Sequence, residues 1–567
     1  ADAATSGTSL VSVGNSALFN QDNSEYLSRT PAGAGNRDTW TFSTWVYRTQ
    51  QAATDTLFAG GADSSNNTVV VIWDNGIQYL QSDSGSFTDN IVCAPDFRDI
   101  GWYHVVIAVD TTQAVEANRV IMYSNGALLP LSSANYPAQN VDTDINSTSP
   151  HAIGAWYGSA GHAEDGYMAE TVLIDGLQLT PTSFGEFDST GLYWTPLASA
   201  TIKALTFGTN GFYLDNTTNA ETDASGNGNN WTNNNTVTLS THTPTNLNML
   251  YDPLHILGTP ALSNGNQNNI NNAVTDTVGS TLSINASSAT GFYFEIKILA
   301  TTGNGPMCGL QTIADPIGTY ATGNGPIDVA YWGIAGAAAY MKQDSVTVTI
   351  AGAQTPAVNQ VLMIAVKNGN FYIGGSNGWW NSADPDAETG AKFTNLVGYY
   401  RFYNTTSYAN TTGIQLITNE DNYTYTPPTG YLNCDTNSIA ADSTRTASDT
   451  TKYWNNLLYT GNGTAIGSGG NAITGAGFQP DFVWLKNRSA TDSHQLTDSV
   501  RGVTKNLSSD ATTAEGTDSE GLTTFGSDGF TVGSDVSYNT NTESYVAWCA
   551  KLGGAPTATN SAGAGAT

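Results

Sequence analysis

The strongest constraint on this chain is the way its apolar residues are punctuated. Phe42-Ser43-Thr44-Trp45-Val46-Tyr47 runs in rough alternation, and Val69–Trp73 and Trp102–Asp110 are short β-branched and aromatic runs. Turn signals such as Asp74-Asn75-Gly76 and Ser124-Asn125-Gly126 stand between runs of this kind and mark hairpins. No stretch of about twelve residues carries a capped helical period, and one short helix is expected near Pro181–Phe184. The pattern predicts an all-β chain of tandem antiparallel β-sandwiches. At 567 residues the chain exceeds what one core can organise, so three or four domains are expected.

Charge narrows the function classes. There are 48 acidic residues against 18 basic ones, a net charge of −30, although only 12% of residues are charged. Nucleic-acid binding rests on Lys and Arg neutralising phosphates, so it is not expected, and anionic membrane surfaces are disfavoured for the same reason. The longest apolar strings, Val69–Trp73 and Val361–Val366, are strand-sized, so membrane insertion is not expected either. The opening ADAATSGTSL has neither the basic nor the apolar region of a secretory signal. Cys93, Cys308, Cys434 and Cys549 form no CxxC pair, and they read as isolated buried thiols suited to a reducing cytosol.

Shifts in composition divide the chain. A first domain is expected over 1–215, then an Asn/Thr/Gly-rich connecting segment over 216–282. A second sandwich is expected over 283–437, a smaller β-rich domain over 452–553, and a flexible tail or linker over 554–567.

Several phrases resemble known families. Over roughly residues 8–231, the Thr41–Val46 and Trp102–Val106 strands are similar to those of laminin-G/concanavalin-like jelly rolls from marine phage structural proteins. So are Asp165-Gly166-Tyr167-Met168-Ala169-Glu170, the run Ile174–Pro181, Phe184–Asp188, Asn210–Asp215 and Asp223–Trp231. Gly291-Phe292-Tyr293-Phe294-Glu295-Ile296, Cys308-Gly309-Leu310 and Tyr425–Tyr431 look like a SPRY-type sandwich, although the centre of that block departs from the pattern. Tyr459–Gly463, Gly477–Arg488, Asp498–Gly502 and Tyr545–Cys549 resemble an uncharacterised domain that recurs in phage virion proteins. The resemblances imply a bacteriophage virion appendage protein made in the host cytoplasm. It would be placed on the particle surface as a tail fibre, tail-tip or capsid-surface protein, assemble with other virion subunits and with its own copies, and adhere to host-surface glycans without enzymatic activity. The alternatives are a glycan-degrading depolymerase on the jelly roll and a purely structural subunit that binds only other subunits.

No catalytic residue is assigned. Glu186-Phe187-Asp188 begins the E-x-D-x-x-E string of concanavalin-like glycosidases, but Ser189, Thr190 and Gly191 follow and no second Glu appears. Gly374-Gly375-Ser376-Asn377-Gly378 spells a nucleophile elbow, yet no helix is expected after it, and it reads as a turn. Asp223, Ser225, Asn227 and Asn229 place oxygen on alternate residues of a glycine loop, which suits calcium and equally suits an Asx-turn cluster. Trp379, Trp380, Trp73 and Tyr79 are the candidates to stack on sugar rings, although a tandem Trp pair on a strand points one ring to each face. Trp45, Trp102, Trp484 and Trp548 read as core.

Overall fold

The computed structural model describes residues 11–50, 54–63, 65–94, 97, 99–156, 163–188, 191–273, 276–302, 307–313, 317, 329–334, 337–343, 346–405, 411–441 and 453–552. The tail expected over 554–567 lies outside the described residues. The chain divides into two compact units, Ala1–Arg445 and Thr446–Thr567. The α-helices among the described residues are four to six residues long, so the fold is carried by strands. The helix expected at Pro181–Phe184 is a single 3-10 turn, Pro181–Ser183.

Two sandwiches make up the larger unit. In the first, one sheet runs in the order Ala127–Leu128, Val120–Ser124, Gly101–Asp110, Thr39–Arg48, Gly166–Asp175, Ser16–Phe19 and Thr238–Ser240, with Phe212–Leu214 also paired to Gly166–Asp175. The facing sheet runs Leu131–Asn135, Ser86–Cys93, Gly76–Asp83, Asn66–Trp73, Asp55–Asp63, His151–Ile153, Tyr26–Arg29 and Thr232–Asn234. Alternation sends Trp40, Phe42 and Val46 inward from one sheet to meet Phe58, Val70 and Ile72 from the other. The Phe42 and Phe58 rings stack across the gap at 4.8 Å between centroids. Asp74 (φ 50°) and Asn75 (φ 64°) close a two-residue hairpin, with both residues in the left-handed region that such turns require. Asn125 (φ 47°) and Gly126 (φ 80°) repeat the device.

The second sandwich packs two seven-stranded sheets. One includes Thr277–Asn285, Tyr399–Thr405 and Met307–Thr312 at its centre; the other orders Ala261–Ser263, Asn268–Asn271, Thr412–Ile417, Phe292–Thr301, Val361–Lys367, Asn370–Gly375 and Gly378–Trp379. The expected connecting segment 216–282 is therefore folded. Its strands complete both sheets of the first sandwich and begin the second. Its asparagines bond the backbone instead of solvating a linker: Asn233 Nδ2 donates to Val237 O, and Val237 N donates back to Asn233 Oδ1.

The two sandwiches of this unit are joined closely. Tyr167 Oη donates to Gly265 O at 2.9 Å, and Asn266 Nδ2 donates to Thr49 O at 2.8 Å. Gly265 has φ 61°, and a Cβ there would meet Tyr167 and Leu18 at 2.6 and 2.7 Å, so only glycine lets the hairpin seat. Leu250 joins Leu18, Tyr47 and Tyr167 in a shared buried cluster.

The smaller unit holds a four-stranded sheet, in the order Trp454–Thr460, Ser544–Ala550, Phe482–Asn487 and Gln495–Asp498. A three-stranded sheet of Asn471–Thr474, Gly529–Val532 and Leu522–Gly526 completes its core. The four cysteines are buried and form no disulfide among the described residues.

Candidate functional site

The outward face of the second sheet of the jelly roll brings together what a polar, ring-shaped ligand needs. Alternation along Asn66–Trp73 turns Val70 and Ile72 into the core and Val69, Val71 and Trp73 to the other side. Trp156 packs over Ala59, Val69, Val71 and Leu80, covering the centre of that face. Toward the sheet edge it opens. Trp73, Gln78 and Asn90 are partly exposed there, and Phe87 is 50% exposed with its ring 6.4 Å from that of Trp156. The carbonyl oxygen of the Asn90 side chain is buried with no hydrogen-bond partner. Asn90 pairs with Leu80 across the strands and Gln78 with Val71, which fixes both amides on this face. The result is an aromatic rim beside amide groups on a rigid sheet.

Sequence reasoning found Trp73 here but missed Phe87 and Trp156, because the Ser86–Cys93 pattern is mostly polar and Trp156 lies in a loop. Tyr79 is corrected. It is wholly buried in the core, against Trp40 at 6.4 Å, because it alternates with Leu80 and so faces inward. Trp380 is corrected likewise: it is 2% exposed in the second core, and its indole N–H is given to Asn377 Oδ1. Trp379 points to the opposite face, half-buried against Tyr293, Met363 and Tyr372. Of the four tryptophans read as core, Trp45 is buried and Trp102 is partly exposed. Trp484 and Trp548 are half-exposed on the non-core face of the four-stranded sheet, their rings 5.4 Å apart, because the buried positions of those strands are Val483, Leu485, Ala547 and Cys549.

The glycine loop is a hydrogen-bond hub. Asp223 accepts from the backbone N–H groups of Tyr213, Ser225 and Asn229 and from the Ser225 hydroxyl, at 2.8–3.0 Å. Four donors occupy the carboxylate that a cation would need. Asn227 and Asn229 turn their amide N–H groups to the carbonyls of Gly208, Thr209 and Gly211. The Asn229 carbonyl oxygen faces the Arg29 guanidinium at 2.5 Å, an arrangement hostile to a second positive charge. The calcium reading of Asp223, Ser225, Asn227 and Asn229 does not fit this arrangement; the Asx-turn reading does. No group of three or more metal-ligating side chains occurs among the described residues.

Other groups have the outline of catalytic machinery without its polarity. Ser43 Oγ lies 2.9 Å from His104 Nε2, but His104 Nδ1 accepts the Trp194 indole N–H at 2.9 Å. The ring's proton is therefore on Nε2 and points at the serine, the reverse of what nucleophile activation requires. Burial drives the His104 pKa down to about 3, so the ring stays neutral. Glu186 is exposed on a small hairpin, and the Ser376-Asn377 turn of the elbow-like string joins two strands. Glu170 sits on a β-bulge with φ 52°, buried, and accepts the Tyr213 hydroxyl. Burial pushes its pKa up to about 7.

Residues 21–182 match the family described as the concanavalin A-like lectin/glucanases superfamily, and residues 449–566 match a domain of unknown function (DUF7483). Among solved structures, the chain is similar to a putative carbohydrate binding protein from Bacteroides ovatus at 15% identity and a TM-score of 0.28. That alignment covers 40% of this chain and spans 60% of the other. Mouse laminin alpha1 chain, domains LG4-5, is similar at 11% identity and a TM-score of 0.26, over 72% of this chain and 87% of that one. A Ruminococcus gnavus sialidase CBM40 bound to α2,3 sialyllactose is similar at 14% identity and a TM-score of 0.19, over 24% and 84%. No curated protein matches the sequence.

Proposed function

We propose that the chain is a non-enzymatic adhesion protein that binds glycans through the outward face of its jelly roll, as part of a bacteriophage particle surface. One observation carries the glycan reading: Trp73 beside the Gln78 amide, and Phe87 on the same strand as Asn90, stand partly exposed on one face of a sheet of a lectin-type fold. Aromatic faces take the apolar side of a sugar ring while amides take its hydroxyls, and a sheet holds both without reorganisation. The particle assignment rests on the phrase-by-phrase resemblance to phage structural proteins, and the net charge of −30 fits a surface that keeps nucleic acid away.

A glycan array probed with the full chain tests the reading. Wild type is expected to retain a defined set of glycans, with Trp73→Ala and Phe87→Ala each weakening retention roughly ten-fold, the effect of removing one aromatic contact from a small site. Retention unaffected by either change would remove this face from the reading. Reducing sugar released from the array would replace adhesion with depolymerisation.

A further inference from the structure

A second cleft lies where the two sandwiches of the larger unit meet, away from the jelly-roll face described above. Its floor is the outer face of the sheet containing Phe292–Thr301. On that strand Phe292, Phe294 and Ile296 enter the core, so Tyr293, Glu295 and Lys297 face out. Segment 418–432 straps across part of this face, held by Glu295. That carboxylate is fully buried and accepts the Tyr293 hydroxyl (2.7 Å) and the backbone N–H groups of Thr424 (2.7 Å) and Tyr425 (2.8 Å). Where the strap ends, the face continues as one cross-strand row, Val361–Lys297–Gln415–Asn268. Four strands at about 4.8 Å spacing make that row roughly 14 Å long. Asn419, Asn422 and Thr424 form one wall, and Leu18, Glu25 and Thr238 of the jelly roll form the other. The enclosed space is about 500 Å³. Past Asn359, Val361 and Thr424 it runs on into a hollow of about 670 Å³ beside Tyr425.

The chemistry of the cleft is selective. Its polar groups are amides and hydroxyls apart from Glu25 and Lys297. Glu25 is engaged, accepting from Asn20 N and Asn23 Nδ2, and the charge acting on it is Asp165 rather than Lys297. Lys297, Gln415 and Asn422 make no side-chain hydrogen bond or ion pair among the described residues. In a chain with 48 acids and 18 bases, a half-buried ammonium without a carboxylate partner leaves room for one supplied by a ligand. An apolar ligand would strand the amides. A single cation in so acidic a chain does not hold nucleic acid. An added peptide strand needs an open sheet edge, and this row crosses paired strands, so side chains must do the reading.

We propose that this cleft binds a short acidic oligosaccharide, with Lys297 pairing a ligand carboxylate and Gln415, Asn422 and Asn359 taking ring hydroxyls. The site is independent of the jelly-roll face. Titration calorimetry on the full chain, with a panel of uronate trisaccharides and their carboxyl-reduced counterparts, tests it. An acidic member should bind, its reduced form should bind roughly ten-fold more weakly or worse, and Lys297→Gln should lose the same factor for the acidic form only. Gln415→Ala and Asn422→Ala should weaken both forms, and Trp73→Ala should change neither. Binding by no acidic member, or equal binding by wild type and Lys297→Gln, overturns the proposal. Loss of binding in Trp73→Ala with retention in Lys297→Gln places the ligand on the jelly roll and overturns it too.

Discussion

Glu170 shows how much one residue can set the conditions under which this chain is stable. Its carboxyl is buried and its pKa is raised to about 7, from 4.5. A carboxyl raised in the folded state contributes stability that is present below its unfolded pKa and is lost as pH rises through the folded one. A raise of that size corresponds to something on the order of 3 kcal/mol. Three buried histidines act in the opposite sense at lower pH. His104 and His242 are lowered to about 3 and His151 to about 4, so their stabilisation is lost as pH falls below about 6.5. Comparing wild type with Glu170→Gln cancels the histidine contribution: the wild-type melting temperature is expected to lose ground to the variant as pH rises from about 4.5 through about 7, and the variant should melt higher at pH 8, as measured by scanning calorimetry. A difference that does not change with pH would mean that the carboxyl is ionised inside the fold. None of this is legible in the sequence, where Glu170 is one acid among 48. Its burial comes from a bulge that breaks the register between Ala169 and Val172.

At the scale of an element, the strap over residues 418–432 is the piece most dependent on a single anchor. Glu295 takes three donors, and Tyr423, Tyr425 and Tyr431 pack on the same face. Glu295→Ala would strand those donors in the interior, at a cost of roughly 3 kcal/mol or more. The expected outcome is faster amide exchange at Thr424 and Tyr425, with little change in the jelly-roll strands; uniform acceleration across the unit would mean that Glu295 supports the whole core. The hairpins are the contrasting case. Asp74-Asn75 and Asn125-Gly126 are legible from sequence because the turn chemistry is local: these residue types tolerate positive φ. The strap is not legible, since its anchor lies 129 residues away from Thr424.

For the whole molecule, the division into Ala1–Arg445 and Thr446–Thr567 predicts two thermal transitions. A fragment beginning at residue 446 should reproduce the smaller transition, with its core of Val483, Leu485, Phe530, Tyr545 and Cys549 intact. The two sandwiches of the larger unit should melt as one, because Gly265, Asn266 and Leu250 join them through buried contacts. A third resolved transition in calorimetry would contradict that cooperativity.

Period-2 runs and Asn/Gly turns determined by themselves that the chain is a series of antiparallel sandwiches, since both signals act between residues a few positions apart. Trp379 and Trp380 do part company, but at the end of a strand rather than along it, since Trp379 closes Gly378–Trp379 and Trp380 opens a 3-10 turn. Which of the two enters the core was decided only by the sheet that packs on them. The same holds for Tyr79 and Trp73, which have similar apolar neighbours and face opposite sides. The Asn-rich stretch 216–282 misled in the other direction, because amides that solvate a linker and amides that bond a backbone have the same composition. The amide-lined cleft and the Asp223 hub were out of reach for one reason: their partners are brought together by packing between strands far apart in the chain, which no local pattern records.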